Sequence, residues 1–362
     1  MKRGLVVMDP AEIPGTEWTD RVRRLQERMS AEGLSLALVY GDVFRSDDIG
    51  YLTNLCIYWN EGIVAVPAEG EPAFLTKLSP RVHPWMKATS TVADLRSGKS
   101  FSQLTAGLVE GREPGVIGLV DAALWPATVV EQVTGAAPAW EVRLLGGIVR
   151  EQRLVPSAAE LALLRDGARS LGRAMDQATG SGGQPAEAVA VLEGEVRSAG
   201  FTDLMTEVSR TSDGVVSLEV TGEYRHGWLH AGRILDPSSP EPHWLPTLRA
   251  GFEAAVGAVD GAARFSDVTA AAEAVLGDLP ADAAWYVRCV NQADMATNGE
   301  YESVSPTTPL PDGAVVVVGI EVVFADGGRA AVAETVLVGP HGAERIAVSG
   351  QPAPTDLEEA SA

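Results

Sequence analysis

The stretch LEVTGEYRHGWLHAGR, Leu218 to Arg233, predicts a β-hairpin that carries several charged and polar side chains. Its two arms flank a turn around residues 225–227, where a glycine follows two polar residues. Glu219 and His230 lie on opposite arms, and antiparallel pairing can bring two such side chains toward one centre. We therefore expect Glu219 and His230 to face a common pocket.

The residues before the hairpin predict an α/β domain over residues 1–150. Val22, Leu25 and Met29 lie at helical spacing and are followed by Gly33, which indicates an amphipathic helix with a glycine stop. Strand-like apolar runs follow it at residues 34–42, 51–55, 62–67, 72–77, 115–121 and 142–148. Helices and strands that alternate in this way are typical of α/β layers.

A helix start signal marks a second domain, which we place at residues 151–350. Ser157 and Glu160 have the spacing of a capping box and precede an amphipathic run. Further helical runs lie on both sides of the hairpin, and a β-rich segment begins near Trp285. Residues 351–362 are expected to form a disordered tail.

The composition excludes several classes of function. A net charge of −21 would repel a phosphate backbone, so we expect no nucleic-acid partner. No apolar run reaches the roughly 20 residues needed to cross a bilayer, and the first residues contain too short an apolar segment for a secretory signal. With only two cysteines in the chain, neither a disulfide framework nor a zinc cluster is indicated. We expect a cytoplasmic protein without a membrane partner.

The order of these segments resembles the creatinase, prolidase and aminopeptidase P family, whose catalytic domain has the pita-bread fold. The resemblance covers nearly the whole chain and is carried by RVRRLQERMSAEGLSLALVYGD (21–42), YLTNL (51–55) and REQRLVPSAAELALLRDGAR (150–169). It implies an α/β (α+β) fold, with a creatinase-like N-terminal α/β domain followed by a C-terminal pita-bread domain. It also implies a homodimer.

Typical members of this family hold two divalent metals with two Asp, one His and two Glu, and this sequence departs from that set. The corresponding positions carry Glu219, His230, Val290 or Asn291, Gly319 and Ala333. A dinuclear site needs several carboxylates, because two divalent cations bring four positive charges into a partly buried cavity. We therefore predict no metal ligands and no cofactor, although Glu321, two residues after Gly319, is expected to enter the same cavity.

The remaining residues suit acid/base chemistry. A histidine with a pKa near ~6.5 can move protons when a carboxylate orients it, so His230 is the predicted proton carrier, assisted by Glu219 or Glu321. The candidate substrate-binding residues are His226, Arg233, Tyr224, Trp228, Asn291 and Asn298. For His226 and Arg233 the alternatives are a solvated turn residue and a structural ion-pair partner.

The leading interpretation is a metal-independent enzyme that acts on a small-molecule substrate. The resemblance to creatinase implies a reaction that cleaves, or rearranges by acid/base catalysis, a C–N bond in a small amino-acid-derived, amide or guanidino compound. Two alternatives stay open: a non-catalytic pita-bread binding protein, and a conventional metal-dependent Xaa-Pro peptidase.

Overall fold

The computed structural model describes residues 9–57, 60–180, 184–225, 227–236, 240–281, 283–295 and 307–347. The helices are α1 (Gly15–Glu32), α2 (Asp47–Thr53), α3 (His83–Thr89), α4 (Phe101–Val109), α5 (Ala127–Ala136), α6 (Arg150–Arg153), α7 (Ala158–Thr179), α8 (Pro185–Ser198), α9 (Leu245–Gly257) and α10 (Phe265–Leu276). The strands are β1 (Leu36–Gly41), β2 (Gly62–Pro67), β3 (Ala73–Thr76), β4 (Asp94–Ser97), β5 (Val116–Val120), β6 (Glu141–Leu145), β7 (Asp203–Arg210), β8 (Val216–Tyr224), β9 (Gly227–Asp236), β10 (Ala283–Asn291), β11 (Val315–Phe324), β12 (Arg329–Gly339) and β13 (Gly342–Arg345). Within the described residues, every helix is too short or too polar to span a lipid bilayer.

The first sheet is mixed and has the strand order β4-β3-β2-β1-β5-β6. Its central strand β1 pairs antiparallel with β2 and parallel with β5. The amphipathic helix predicted before β1 is confirmed as α1, which buries Leu25 and Met29 and ends at Gly33 with a φ of 69°. A positive φ of this size is tolerated best by glycine, which explains the stop.

One strand prediction in this domain was wrong. Residues 51–55 were expected to form a strand, but residues 51–53 form the end of α2, and Asn54 closes this helix with a φ of 59°. The hydroxyl of Thr53 donates a hydrogen bond to the Ile49 carbonyl at 2.6 Å, which caps the last turn from within. An apolar run this short cannot distinguish a buried helix from a strand by periodicity.

The second sheet is antiparallel, with the order β10-β11-β12-β9-β8-β7, and β13 pairs with β12 beside β9. Helices cover one of its faces: Leu218 and Val220 of β8 pack with α7 and α8, and Val318 of β11 packs with α9. The predicted capping box at the start of α7 is confirmed by bonds of 3.1 and 2.9 Å between Ser157 and Glu160. The mixed α/β fold class is likewise confirmed.

Buried charged groups join the two sheets at α2 and α6. Arg153 is 4% exposed and lies 2.8 Å from the carboxylate of Asp48 and 3.6 Å from that of Asp47. The indole of Trp228 at the start of β9 donates to Asp47 at 2.9 Å. The domain boundary at residues 150/151 stays a prediction, and the tail at 351–362 lies outside the described residues.

Candidate functional site

A row of paired residues crosses the second sheet at one level. It runs through Glu207, Glu219, Gly232, Ala333, Gly319 and Arg288, on β7, β8, β9, β12, β11 and β10. Directly opposed residues place their side chains on the same face, here the face turned away from the helices. Because its middle positions are Gly, Ala and Gly, the row leaves open space between Glu219 and Arg288.

This space is a cavity of about 200 Å³. Its polar lining consists of Glu219, Tyr286, Arg288 and Glu321, and Phe265 closes one side. Tyr286 is 60% exposed at the rim and pairs with Glu321 across β10 and β11. The cavity therefore combines two carboxyl groups, one guanidinium and two aromatic rings.

His230 positions Glu219 through a hydrogen bond. The Nε2 atom of His230 lies 3.1 Å from Glu219 Oε1, and its Nδ1 atom lies 2.8 Å from the hydroxyl of Thr221. A neutral ring satisfies both contacts if Nε2–H donates to the carboxylate and Nδ1 accepts from the hydroxyl. The hydroxyl of Thr335 accepts from the His230 backbone N–H and donates to its carbonyl, both at 2.9 Å. His230 is thus fixed, and at 4% exposure its ring is not among the residues that line the cavity.

Arg288 is the positive group beside this pair. Its guanidinium lies 3.8 Å from Glu219 Oε1 and 3.5 Å from His230 Nε2. Burial acts to raise the pKa of Glu219, but the hydrogen bond from His230 and the electrostatic attraction of its neighbours His230 and Arg288 outweigh it. The pKa of Glu219 therefore lies below its ordinary value, and the carboxylate form is favoured.

The pKa of Glu321 is shifted in the opposite direction. Burial raises the pKa of Glu321, and the negative charges of Glu219 and Glu207 raise it further. Arg329, at 3.4 Å, and Arg288 act against this shift without reversing it. Glu321 therefore keeps its proton to a higher pH than an ordinary glutamate.

This shift predicts a pH-dependent difference between the wild type and Glu321→Gln. A raised folded-state pKa means that the contribution of Glu321 to stability is fully present below its unfolded pKa and is lost as the pH rises through the folded pKa. We expect the wild type to lose stability relative to the variant as the pH rises from about 4.3, the ordinary glutamate pKa, through the raised pKa of Glu321 in the folded state, measured by urea unfolding at each pH. Glu113→Gln, at an exposed position, controls for the change in net charge. If the free energies of unfolding of the wild type and Glu321→Gln changed in parallel with pH, the raised pKa of Glu321 would be contradicted.

The other predicted substrate-binding residues lie away from this cavity. Trp228 lies on the same face of the sheet as this cavity, but it is only 1% exposed. It packs against Val290 and donates a hydrogen bond to Asp47. The amide of Asn291 donates to the Leu154 carbonyl at 2.8 Å. Tyr224 packs against Phe201, with ring centroids 5.1 Å apart, on the helix-covered face.

Arg233 also lies on the helix-covered face, where it lines a different cavity. His226 and Asn298 lie outside the described residues. Among the predicted site residues, the structure brings together Glu219, His230 and Glu321, and it adds Arg288 and Tyr286, which the sequence analysis missed.

Comparison with known proteins identifies this architecture. Residues 21–155 match the model of the Creatinase/Prolidase N-terminal domain family. The first domain of this chain is therefore a creatinase/prolidase N-terminal domain. No curated protein matches the chain in sequence.

Solved structures show the creatinase/prolidase fold, with its pita-bread domain, over about nine-tenths of the chain. It is similar to the X-Pro aminopeptidase from Thermotoga maritima, with 16% identity and a TM-score of 0.74, covering 91% of this chain and 98% of that one. It is similar to the Xaa-Pro dipeptidase from Bacillus anthracis, with 14% identity and a TM-score of 0.73, covering 92% and 99%. The prolidase from Pyrococcus horikoshii matches with 13% identity and a TM-score of 0.72, also covering 92% and 99%.

The residues present do not fit the metal pair of a typical creatinase/prolidase site. Within the part of the chain that the structure describes, no group of three or more His, Cys, Asp or Glu side chains is placed to hold a metal ion. Gly319 and Ala333, at the two glutamate positions, face each other across β11 and β12. A Cβ atom on Gly319 would lie only 3.0 Å from that of Ala333. Of the two candidates for the histidine position, Val290 packs against Trp228 and Asn291 donates to the Leu154 carbonyl.

Proposed function

We propose that this protein is a metal-independent enzyme that cleaves a C–N bond in a small amino-acid-derived, amide or guanidino compound by acid/base catalysis. One observation carries the proposal: two carboxyl groups line one cavity, and their pKa values are shifted in opposite directions. Paired carboxyl groups with separated pKa values are a general means of supplying a base and an acid at the same pH. The creatinase/prolidase scaffold makes hydrolysis the default reaction.

The opposite pKa shifts of Glu219 and Glu321 suggest a separate role for each carboxyl group. Glu219, whose carboxylate form is favoured, accepts a proton from the attacking water as that oxygen bonds to the substrate carbon. Glu321, which keeps its proton longer, donates it to the departing nitrogen as the C–N bond breaks. Each turnover leaves Glu219 protonated and Glu321 ionised, and proton exchange with solvent restores both.

The geometry supports a different role for His230 from the one predicted. Proton transfer is the role expected of His230 from the sequence, but both of its ring nitrogens are engaged, one of them with Glu219. We assign His230 the orientation of Glu219. Arg288 supplies the positive charge that stabilises the Glu219 carboxylate, and it is also placed to bind an anionic group of the substrate.

The cavity size supports a small substrate. Its volume of about 200 Å³ is below the ~300–1,000 Å³ of pockets that take drug-sized ligands. This favours a compact molecule over an extended peptide. The homodimer and the cytoplasmic location expected from the sequence stay predictions.

Metal content and turnover together test this function. Protein purified without chelator is expected to hold well under one equivalent of divalent metal per chain, measured by plasma mass spectrometry. It is also expected to turn over at least one member of a panel of small amides, guanidino acids and Xaa-Pro dipeptides, with the same rate after dialysis against a chelator.

Each alternative has its own signature in this experiment. Two tightly held ions and chelator-sensitive cleavage of Xaa-Pro dipeptides would replace the proposal with a metal-dependent Xaa-Pro peptidase. A bound small molecule without turnover on any member of the panel would replace it with a non-catalytic binding protein.

A further inference from the structure

A second cavity, of about 420 Å³, lies on the helix-covered face of the same sheet. Here we call it the outer cavity. Its charged lining includes Arg233, Arg249, Arg345, Glu253, Glu334 and Asp176. Arg233 of β9 was predicted to bind substrate at the hairpin, and the structure places it here instead.

Arg233 is anchored by neutral groups. Its Nη1 atom donates to the carbonyls of Gly232 and Ala333, each at 3.2 Å. These bonds fix the guanidinium at the cavity wall without neutralising its charge. A pre-positioned guanidinium loses little further entropy when it pairs with a planar oxyanion.

Two of the three carboxylates that line the outer cavity are engaged with Arg345, and the third belongs to Asp176 on α7. Arg345 contacts Glu253 at 2.6 Å and Glu334 at 3.3 Å, and Arg249 pairs with Glu241 at the surface. Glu334 is 3% exposed, and burial raises its pKa despite the attraction of Arg233 and Arg345. Glu334 is therefore a weaker counter-ion for Arg233 than an exposed carboxylate would be.

The remaining walls are apolar. Ile234 and Val332 extend from β9 and β12, and Phe252 faces them from α9. An apolar wall beside a fixed guanidinium suits an organic anion better than a bare inorganic one, because the body of the ligand also loses contact with water.

We propose that the outer cavity is a binding site for a small organic anion, whose carboxylate or phosphate group pairs with Arg233 while Arg249 provides a second cation at the rim. This site goes beyond the proposed function and does not depend on it, because it lies across the sheet from Glu219. Bidentate pairing with a guanidinium is common to both kinds of oxyanion.

Thermal unfolding of the full-length protein tests the site, with benzoate and inorganic phosphate as separate probes at constant ionic strength. Benzoate at roughly ten to a hundred times its Kd is expected to raise the unfolding midpoint by about 2–4 °C. Phosphate is expected to raise it less, which separates an organic carboxylate from a free phosphate. Arg233→Gln and Arg249→Gln should each lose most of the rise. Arg249 is 48% exposed, so the second variant keeps the test valid if the first does not fold.

Two control variants locate the effect. Arg23→Gln changes the net charge equally at a site 54% exposed on α1, and Arg288→Gln removes the cation that lines the first cavity. Both should keep the full rise with benzoate. The proposal is overturned if neither probe raises the midpoint, if the rise persists in Arg233→Gln or Arg249→Gln, or if Arg288→Gln abolishes it, which would place the anion beside Arg288.

Discussion

Glu219→Gln is expected to lower kcat by about 10²–10⁴-fold, the usual contribution of a positioned general base. Glutamine keeps the shape of the side chain and can still accept the hydrogen bond from His230, so the fold should survive. What is lost is the basic oxygen in the cavity. The measurement is steady-state turnover of the substrate found in the panel, with the free energy of unfolding recorded in parallel.

Glu207→Gln is the matched control for this change. Glu207 is the partner of Glu219 on β7 and is exposed, so its neutralisation alters the same charge field without removing the proposed base. We expect its kcat to stay within about threefold of the wild type, because Glu207 is exposed and is not among the residues that line the cavity. Equal losses in both variants would refute the assignment of Glu219.

The pH profile gives an independent check on the two roles. Because the pKa of Glu219 is lowered, the acid limb of kcat/KM is expected below the ordinary glutamate pKa of about 4.3. Because the pKa of Glu321 is raised, the alkaline limb is expected above that value, where Glu321 loses its proton. Glu321→Gln should remove the alkaline limb, and an unchanged limb would show that another group is the acid.

Arg153→Met is expected to destabilise the protein by about 3–5 kcal/mol, the typical cost of removing one partner from a buried ion pair. Arg153 neutralises both Asp47 and Asp48 between the two sheets. Methionine of similar length would leave these carboxylates without their cation at a buried interface. Urea unfolding of the full chain measures the loss.

Two further variants test this account of the interface. Arg23→Met, at an exposed helix position, should change the free energy of unfolding by no more than about 0.5 kcal/mol. Adding Asp48→Asn to Arg153→Met should recover part of the loss, because burial raises the pKa of Asp48 and a neutral side chain avoids that cost. A loss in Arg153→Met below about 1 kcal/mol would mean that solvent reaches these carboxylates.

The contact between the side chains of Glu219 and His230 could be predicted from the sequence, because the turn of a hairpin fixes the register of its two strands. The same holds for Gly319 and Ala333, which lie on two consecutive strands. Arg288 could not be found in this way. Its place beside Glu219 depends on the order of the three strands β9, β12 and β11 that lie between β8 and β10, and no local pattern encodes that order.

Two predicted residues lie on the other face for a reason that the sequence already contained. Tyr224 is five positions after Glu219 on β8, and Arg233 is three positions after His230 on β9. Residues an odd number of positions apart on a strand point to opposite faces. Strand parity alone would have separated them from the pocket.

The close approach of Gly319 and Ala333 restricts which side chains these two positions can hold. A glutamate at 319 alone would meet the Ala333 methyl group at 3.0 Å, and overpacking of this kind typically costs about 1–3 kcal/mol. It would also add a third carboxyl group to a face that already carries Glu219 and Glu321. A larger residue at either position therefore requires a compensating change at the other. The two positions constrain each other, so a single substitution cannot test whether this face of the sheet could hold a metal ion.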